Sequence, residues 1–111
     1  MPYDDDLAQR IRELVGTQRG LNEKKMFGGL AFLIGGSVAI AASSQGGILV
    51  RVGPERSDEL VATTPASVAV MGGRPRPGWL RVGAQDLGTK RQLAKWVNLG
   101  VGVARSLPAK G

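Results

Sequence analysis

Leu30-Ala31-Phe32-Leu33-Ile34-Gly35-Gly36-Ser37-Val38-Ala39-Ile40-Ala41-Ala42 is the most apolar stretch of this chain. It falls short of the roughly 20 residues a membrane helix needs, and the glycine pair interrupts it. Apolar runs on both sides of paired glycines predict a β-hairpin. A two-residue primed turn demands positive φ, which glycine reaches without steric cost. Working outward, Met26-Phe27 is strand material on the N-terminal side, with Gly28-Gly29 as a bulge or a point of close backbone approach. On the other side the looser turn Ser43-Ser44-Gln45-Gly46-Gly47 leads into Ile48-Leu49-Val50-Arg51-Val52, whose β-branched side chains suit a pleated surface. Three or four antiparallel strands are expected between Lys24 and Val52.

Helices flank this meander. From Asp4 to Val15, Leu7, Ala8, Ile11, Leu14 and Val15 recur at helical spacing, the acidic first turn suits the positive end of the helix dipole, and Gly16 supplies a stop. Asp4-Asp5-Asp6 is thus read as capping and dipole compensation rather than as a metal site. Gly53-Pro54-Glu55 starts a second helix, with proline where its missing N–H costs nothing, and the helix runs through Ala62. Ser67 to Met71 and Trp79-Leu80-Arg81-Val82 read as a second hairpin across the loop Gly72-Gly73-Arg74-Pro75-Arg76-Pro77-Gly78. A last helix begins near Asp86 or Thr89. It carries Leu93, Trp96, Val97, Gly100, Val101 and Ala104 on one stripe, and Pro108 ends it. Gly100 and Gly102 cost the helix about 1 kcal/mol each relative to alanine, which implies close approach to the sheet or fraying after Leu99. The expected fold is α+β: one domain over residues 1–111, with helices packed on an antiparallel sheet.

Composition narrows the chemistry. The 42% apolar content suffices for one core. With neither cysteine nor histidine, thiolate and imidazole nucleophiles, zinc fingers, iron–sulfur sites and redox pairs are excluded. The acidic side chains are scattered along helix faces rather than paired, and Tyr3 is the sole tyrosine, so no catalytic set, cofactor or metal is expected. No Lys-Ser/Thr follows the glycines as a phosphate-binding loop requires, and Gly100-Val101-Gly102 sits in a helical pattern rather than after a strand. The acidic opening Met1-Pro2-Tyr3-Asp4-Asp5-Asp6 is unlike a secretory signal, so a cytoplasmic location without membrane contact is expected. Net charge is +6, and nearly all of it lies in the second half: residues 1–60 carry −1 and residues 61–111 carry +7.

Glu23-Lys24-Lys25-Met26-Phe27-Gly28-Gly29-Leu30-Ala31-Phe32-Leu33 followed by Leu49-Val50-Arg51-Val52-Gly53-Pro54-Glu55 resembles the TfoX N-terminal domain family. Gly73-Arg74-Pro75 with Gly78-Trp79 is similar to that family's second-hairpin signature, and Trp96-Val97 with Ala104-Arg105-Ser106-Leu107-Pro108 to its closing helix. The resemblance implies an α-β(3)-α-β(2)-α domain. It also implies a bacterial regulator of natural competence that promotes transcription together with the cyclic-AMP receptor protein. Those regulators commonly have a second, C-terminal domain, which the match does not reach. The resemblance further marks Met26, Phe27, Gly28, Gly29, Trp79 and Trp96 as family-motif residues, for which folding is the simplest role.

Two readings of function follow. The first is a non-enzymatic regulatory module acting through contacts with a protein partner. The second is a weak nucleic-acid binder. It would use Arg74 and Arg76, held extended by prolines as in part of an AT-hook core, together with Lys90, Arg91 and Lys95 of the last helix. Trp79 and Trp96 fall on apolar stripes, so base stacking is not expected. A homodimer formed through a meander edge strand is a further expectation.

Overall fold

The computed structural model describes residues 4–16, 18–26, 29–44, 46–71 and 73–106. Helix α1 (Asp5–Val15) is followed by strands β1 (Leu21–Met26), β2 (Gly29–Ile34), β3 (Ser37–Ala42) and β4 (Ile48–Arg51), helix α2 (Pro54–Thr63), strands β5 (Ser67–Met71) and β6 (Arg74–Val82), a 3-10 turn (Ala84–Asp86) and helix α3 (Lys90–Ser106). The helix, strands, helix, strands, helix order is the expected one, with four strands in the first run. All six strands join one antiparallel sheet in the order β1-β2-β3-β4-β6-β5.

The hairpin that decides the fold is present. Gly35 and Gly36 have φ of 60° and 86°, the positive pair a primed two-residue turn requires. Every residue of β2 and β3 is buried, which explains why the window reads as a continuous apolar run instead of alternating. The middle of strand β1 shows no apolar signal: Asn22, Glu23, Lys24 and Lys25 are exposed, and only its ends, Leu21 and Met26, pack against the apolar clusters. Its start at Leu21 lies upstream of the expected meander. Phe27 and Gly28 lie outside the described residues.

The helices form a layer on one side of the sheet. Leu7, Ala8, Ile11 and Val15 of α1, Leu60 of α2, and Leu93, Trp96, Val97, Val101 and Ala104 of α3 pack with Phe32, Ile40, Ile48, Val50, Leu80 and Val82. Asp4 caps α1 by accepting hydrogen bonds from the Asp6 and Leu7 amides at 3.0 and 3.2 Å, the role read from the sequence. Thr89 and Gln92 form a capping box at the start of α3. Thr89 Oγ1 accepts from the Gln92 amide at 3.1 Å, and Gln92 Oε1 accepts from the Thr89 amide at 3.0 Å. Helix α3 does not fray after Leu99; it continues to Ser106. Gly100 lies flat against β3, where an added Cβ would stand 2.2 Å from the Ala39 carbonyl oxygen. Arg105 donates to Gln18 Oε1, tying the end of α3 to the turn after α1.

One ion pair anchors the exposed first strand. Arg12 of α1 holds Glu23 of β1 through two parallel bonds, Nε to Oε2 and Nη2 to Oε1, both 2.7 Å. That bond to Arg12 outweighs the slight burial and holds the Glu23 carboxyl below its ordinary range, aided by the guanidinium charge.

Candidate binding surface

The sheet has a second apolar cluster with no helix residue in it. Ala31, Leu33, Val38, Ala41, Leu49 and Ala69, joined by Met26 and Trp79, all come from strands. Strand alternation settles what else shares this side. Lys24 stands opposite Ala31 and Arg81 opposite Leu49. Trp79 stands opposite Arg51, which follows the helix-side Val50. Lys24, Arg51 and Arg81 therefore belong to the helix-free side. The Arg51 guanidinium is 5.4 Å from the centroid of the half-buried Trp79 ring, and Arg81 Nη1 donates to Ser43 Oγ at 3.3 Å.

The acidic side chains go the other way. Asp4, Asp5, Asp6 and Glu13 belong to α1 or its cap, Glu55, Asp58 and Glu59 to α2, and Asp86 to the 3-10 turn. Glu23 faces the helix layer opposite Phe32. These are all nine acidic residues of the chain. Among the described residues the helix-free side thus carries cations without a single side-chain carboxylate, a separation of charge by layer that summing over the halves of the sequence conceals.

The hairpin of β5 and β6 differs from expectation. Residues 74–78 are not a loop: Met71 pairs with Arg74 and Val70 with Pro75, so β6 begins at Arg74. Strand β4 pairs with β6 only over Trp79 to Val82, and the Val52 amide donates to the Gly78 carbonyl at 2.8 Å. Beyond Gly78, β6 pairs with β5 alone. Prolines at 75 and 77 are tolerated there because a strand edge without a neighbour needs no ladder donor. Arg74, Pro75, Arg76 and Pro77 are exposed, and Val70 is 59% exposed. The pairing of β5 with β6 is irregular between Val68 and Val70. Both tryptophans fall on apolar stripes as expected: Trp79, paired with Arg51, joins the helix-free cluster, and Trp96 is 3% exposed in the helix-side core.

The expected partnership between this hairpin and the last helix does not form. Lys90, Arg91 and Lys95 are exposed on α3 in the helix layer, whereas Arg74 and Arg76 belong to β6, and Lys95 lies 5.3 Å from the Trp96 ring centroid. Lys90 instead lines a groove of about 320 Å³ between α1 and the start of α3, with Arg10, Glu13, Leu14, Gly88 and Leu93. Arg10 is held there by a 2.7 Å bond to the Leu87 carbonyl. Of the motif residues, Met26 is half-buried at the end of β1. Gly29 lies so close to β3 that an added Cβ would stand 1.9 Å from the Ala42 carbonyl oxygen, the close approach read from the sequence. Sequence reading did not single out Lys24, Arg51 and Arg81, the cations that the sheet brings to this side. Strand alternation from Ala31 and Leu49 could have placed Lys24 and Arg81 together, but only with the strand order known.

A family model described as the TfoX N-terminal domain matches residues 13–104. The chain belongs to the TfoX N-terminal domain family. The match takes in every strand, α2 and all but the last two residues of α3, so the cationic side and the second hairpin are both part of the family domain. A search of curated proteins and a search of solved structures gave no match. Membership of the TfoX N-terminal domain family points to a regulatory kind of module. Among the described residues no helix is long and apolar enough to cross a membrane, and no group of three or more acidic residues gathers as metal ligands would.

Proposed function

We propose that this TfoX N-terminal domain is a non-enzymatic regulatory module that works by non-covalent contact, and that its contact surface is the helix-free side of the sheet. The observation that carries this reading is the charge separation: Lys24, Arg51 and Arg81 lie on one side and all nine acidic residues on the other. A surface of one sign gathers oppositely charged partners and raises their encounter rate. Heparin serves as a probe polyanion. Arg51→Gln/Arg81→Gln and Lys90→Gln/Lys95→Gln remove the same charge from opposite layers. The first pair is expected to elute from a heparin column at clearly lower salt than the second, with circular dichroism confirming that both fold. Equal shifts would mean that net charge alone matters and would refute the reading.

Self-association belongs to the same proposal, at a different edge from the one the meander suggested. The β1 edge is guarded by Glu23, Lys24 and Lys25, whereas β5 carries no charge and exposes Val70. A second copy would pair through β5. Sedimentation velocity over a concentration series should then show a dimer that Val70→Lys abolishes; a monomer at every concentration removes this part.

A further inference from the structure

The groove between α1 and the start of α3, in the helix layer, has the make-up of a small-molecule site. Its volume of about 320 Å³ is at the lower end of the range for such sites, about 300 to 1,000 Å³. Arg10, Glu13 and Leu14, spaced three and four residues apart, line it from one face of α1. Gly88 lines it from the loop before α3, and Lys90 and Leu93 from the first turn of that helix. The two helices run side by side in the same direction. Arg10 bonds the Leu87 carbonyl just before α3 begins, and Arg105, near the end of α3, bonds Gln18 just beyond the end of α1. Arg10 and Lys90 thus share the loop end of the groove. Glu13 stands about 4.5 Å farther along α1, three steps at the rise of a helix.

The charges that line the groove are unlike, yet they are not paired with one another. Among the described residues no ion pair joins Glu13 to Arg10 or to Lys90. Arg10 is half-buried, and its 2.7 Å bond to the Leu87 carbonyl occupies only part of a fork of five N–H donors. That bond also holds the guanidinium against the loop, so Arg10 cannot turn to Glu13 without giving it up. Lys90 adds its charge where the dipole of α3 is itself positive. One end of the groove therefore favours an anion and the other a cation, beside apolar surface from Leu14 and Leu93. Gly88 leaves the loop end open. Its φ is not positive and an added Cβ would stand 3.8 Å from Gln92 Oε1, an ordinary contact, so neither backbone nor packing demands glycine there.

We propose that this groove binds a free α-amino acid with an apolar side chain. The ligand's carboxylate meets Arg10 and Lys90, its ammonium meets Glu13, and its side chain rests against Leu14. A simple anion would face Glu13 with like charge, and a simple amine would leave both cations unanswered; a zwitterion serves all three. The site lies in the helix layer and is independent of the contact surface on the helix-free side.

The test is an NMR titration of the isotope-labelled protein with leucine, read through the backbone amide shifts of Glu13, Gly88 and Lys90. Saturable binding is expected with a Kd of about 1 mM or tighter. Isocaproate, which is leucine without its ammonium, and isopentylamine, which is leucine without its carboxylate, should each bind about tenfold more weakly or worse. Arg10→Met and Glu13→Gln should each weaken leucine binding by about tenfold, whereas Lys95→Gln, outside the groove, should stay within about twofold of wild type. Glu13 is exposed, so Glu13→Gln should keep the fold, as circular dichroism would show, and it should bind isocaproate at least as tightly as wild type does. No saturation by leucine overturns the inference. So does isocaproate or isopentylamine binding as tight as that of leucine, or leucine binding that Glu13→Gln leaves unchanged. The heparin comparison reads the other layer, so either result can fail without the other.

Discussion

At the residue scale, Glu23 shows how a charge can hold an otherwise unpromising strand. Its side chain is about one-third exposed, so the bidentate contact with Arg12 is worth no more than about 1 kcal/mol once solvent screening is allowed for. The sign of its pH dependence is set by the lowered carboxyl pKa. The contribution is complete at neutral pH, above the ordinary carboxylate range, and is lost as the pH falls through the lowered value. Glu23→Gln should therefore reduce stability at pH 7 by up to about 1 kcal/mol, a penalty that shrinks as the pH is lowered below the ordinary carboxylate range, as urea unfolding across a pH series would show. A penalty that persisted at low pH would mean that Glu23 acts through packing.

At the scale of elements, α3 contains its own control experiment. Alanine is favoured over glycine in a helix by about 1 kcal/mol, and Gly100 and Gly102 sit two residues apart in the same helix. Beside Gly102 nothing lies within 4 Å of an added Cβ, so Gly102→Ala should stabilise the protein by up to about 1 kcal/mol. At Gly100 the added Cβ meets the Ala39 carbonyl oxygen and lies 2.9 Å from its carbon, so α3 must move off β3. The net loss should be about 1 to 3 kcal/mol despite the gain in helix propensity. Thermal melts of the two single variants should thus shift in opposite directions. The sequence posed this choice as close approach or fraying, and the position of β3 under the helix answers it. The capping box Thr89–Gln92 was readable in principle as T-x-x-Q, and it places the start of α3 at Lys90.

At the scale of the whole molecule, one sheet carries two apolar clusters on opposite sides, and the strands between them are common to both. Neither cluster can come apart without breaking the ladder that supports the other. Trp96 reports from the helix-side core and Trp79 from the helix-free side. Variants that keep only one of them, Trp79→Phe and Trp96→Phe, should give coincident urea transitions by fluorescence and circular dichroism, as two-state unfolding of one domain requires. Separate midpoints would divide the chain into independent units.

The sequence by itself determined the α+β class, the order of the elements, the Gly35-Gly36 turn, the Asp4 cap and the apolar stripe of α3. Each of these is set by contacts between near neighbours along the chain, where the spacing of side chains states the geometry directly. The start of strand β1 escaped because its signal is a partner strand rather than its own composition, and the first residues of β6 escaped because prolines and arginines suggest a loop until β5 is seen beside them. The charge separation was out of reach for a deeper reason. Lys24, Arg51 and Arg81 are far apart in sequence, and which side of the sheet each occupies depends on a register in which one residue of slip reverses every side chain. Only the assembled sheet, with the helices committed to one side, could decide that the cations share the other.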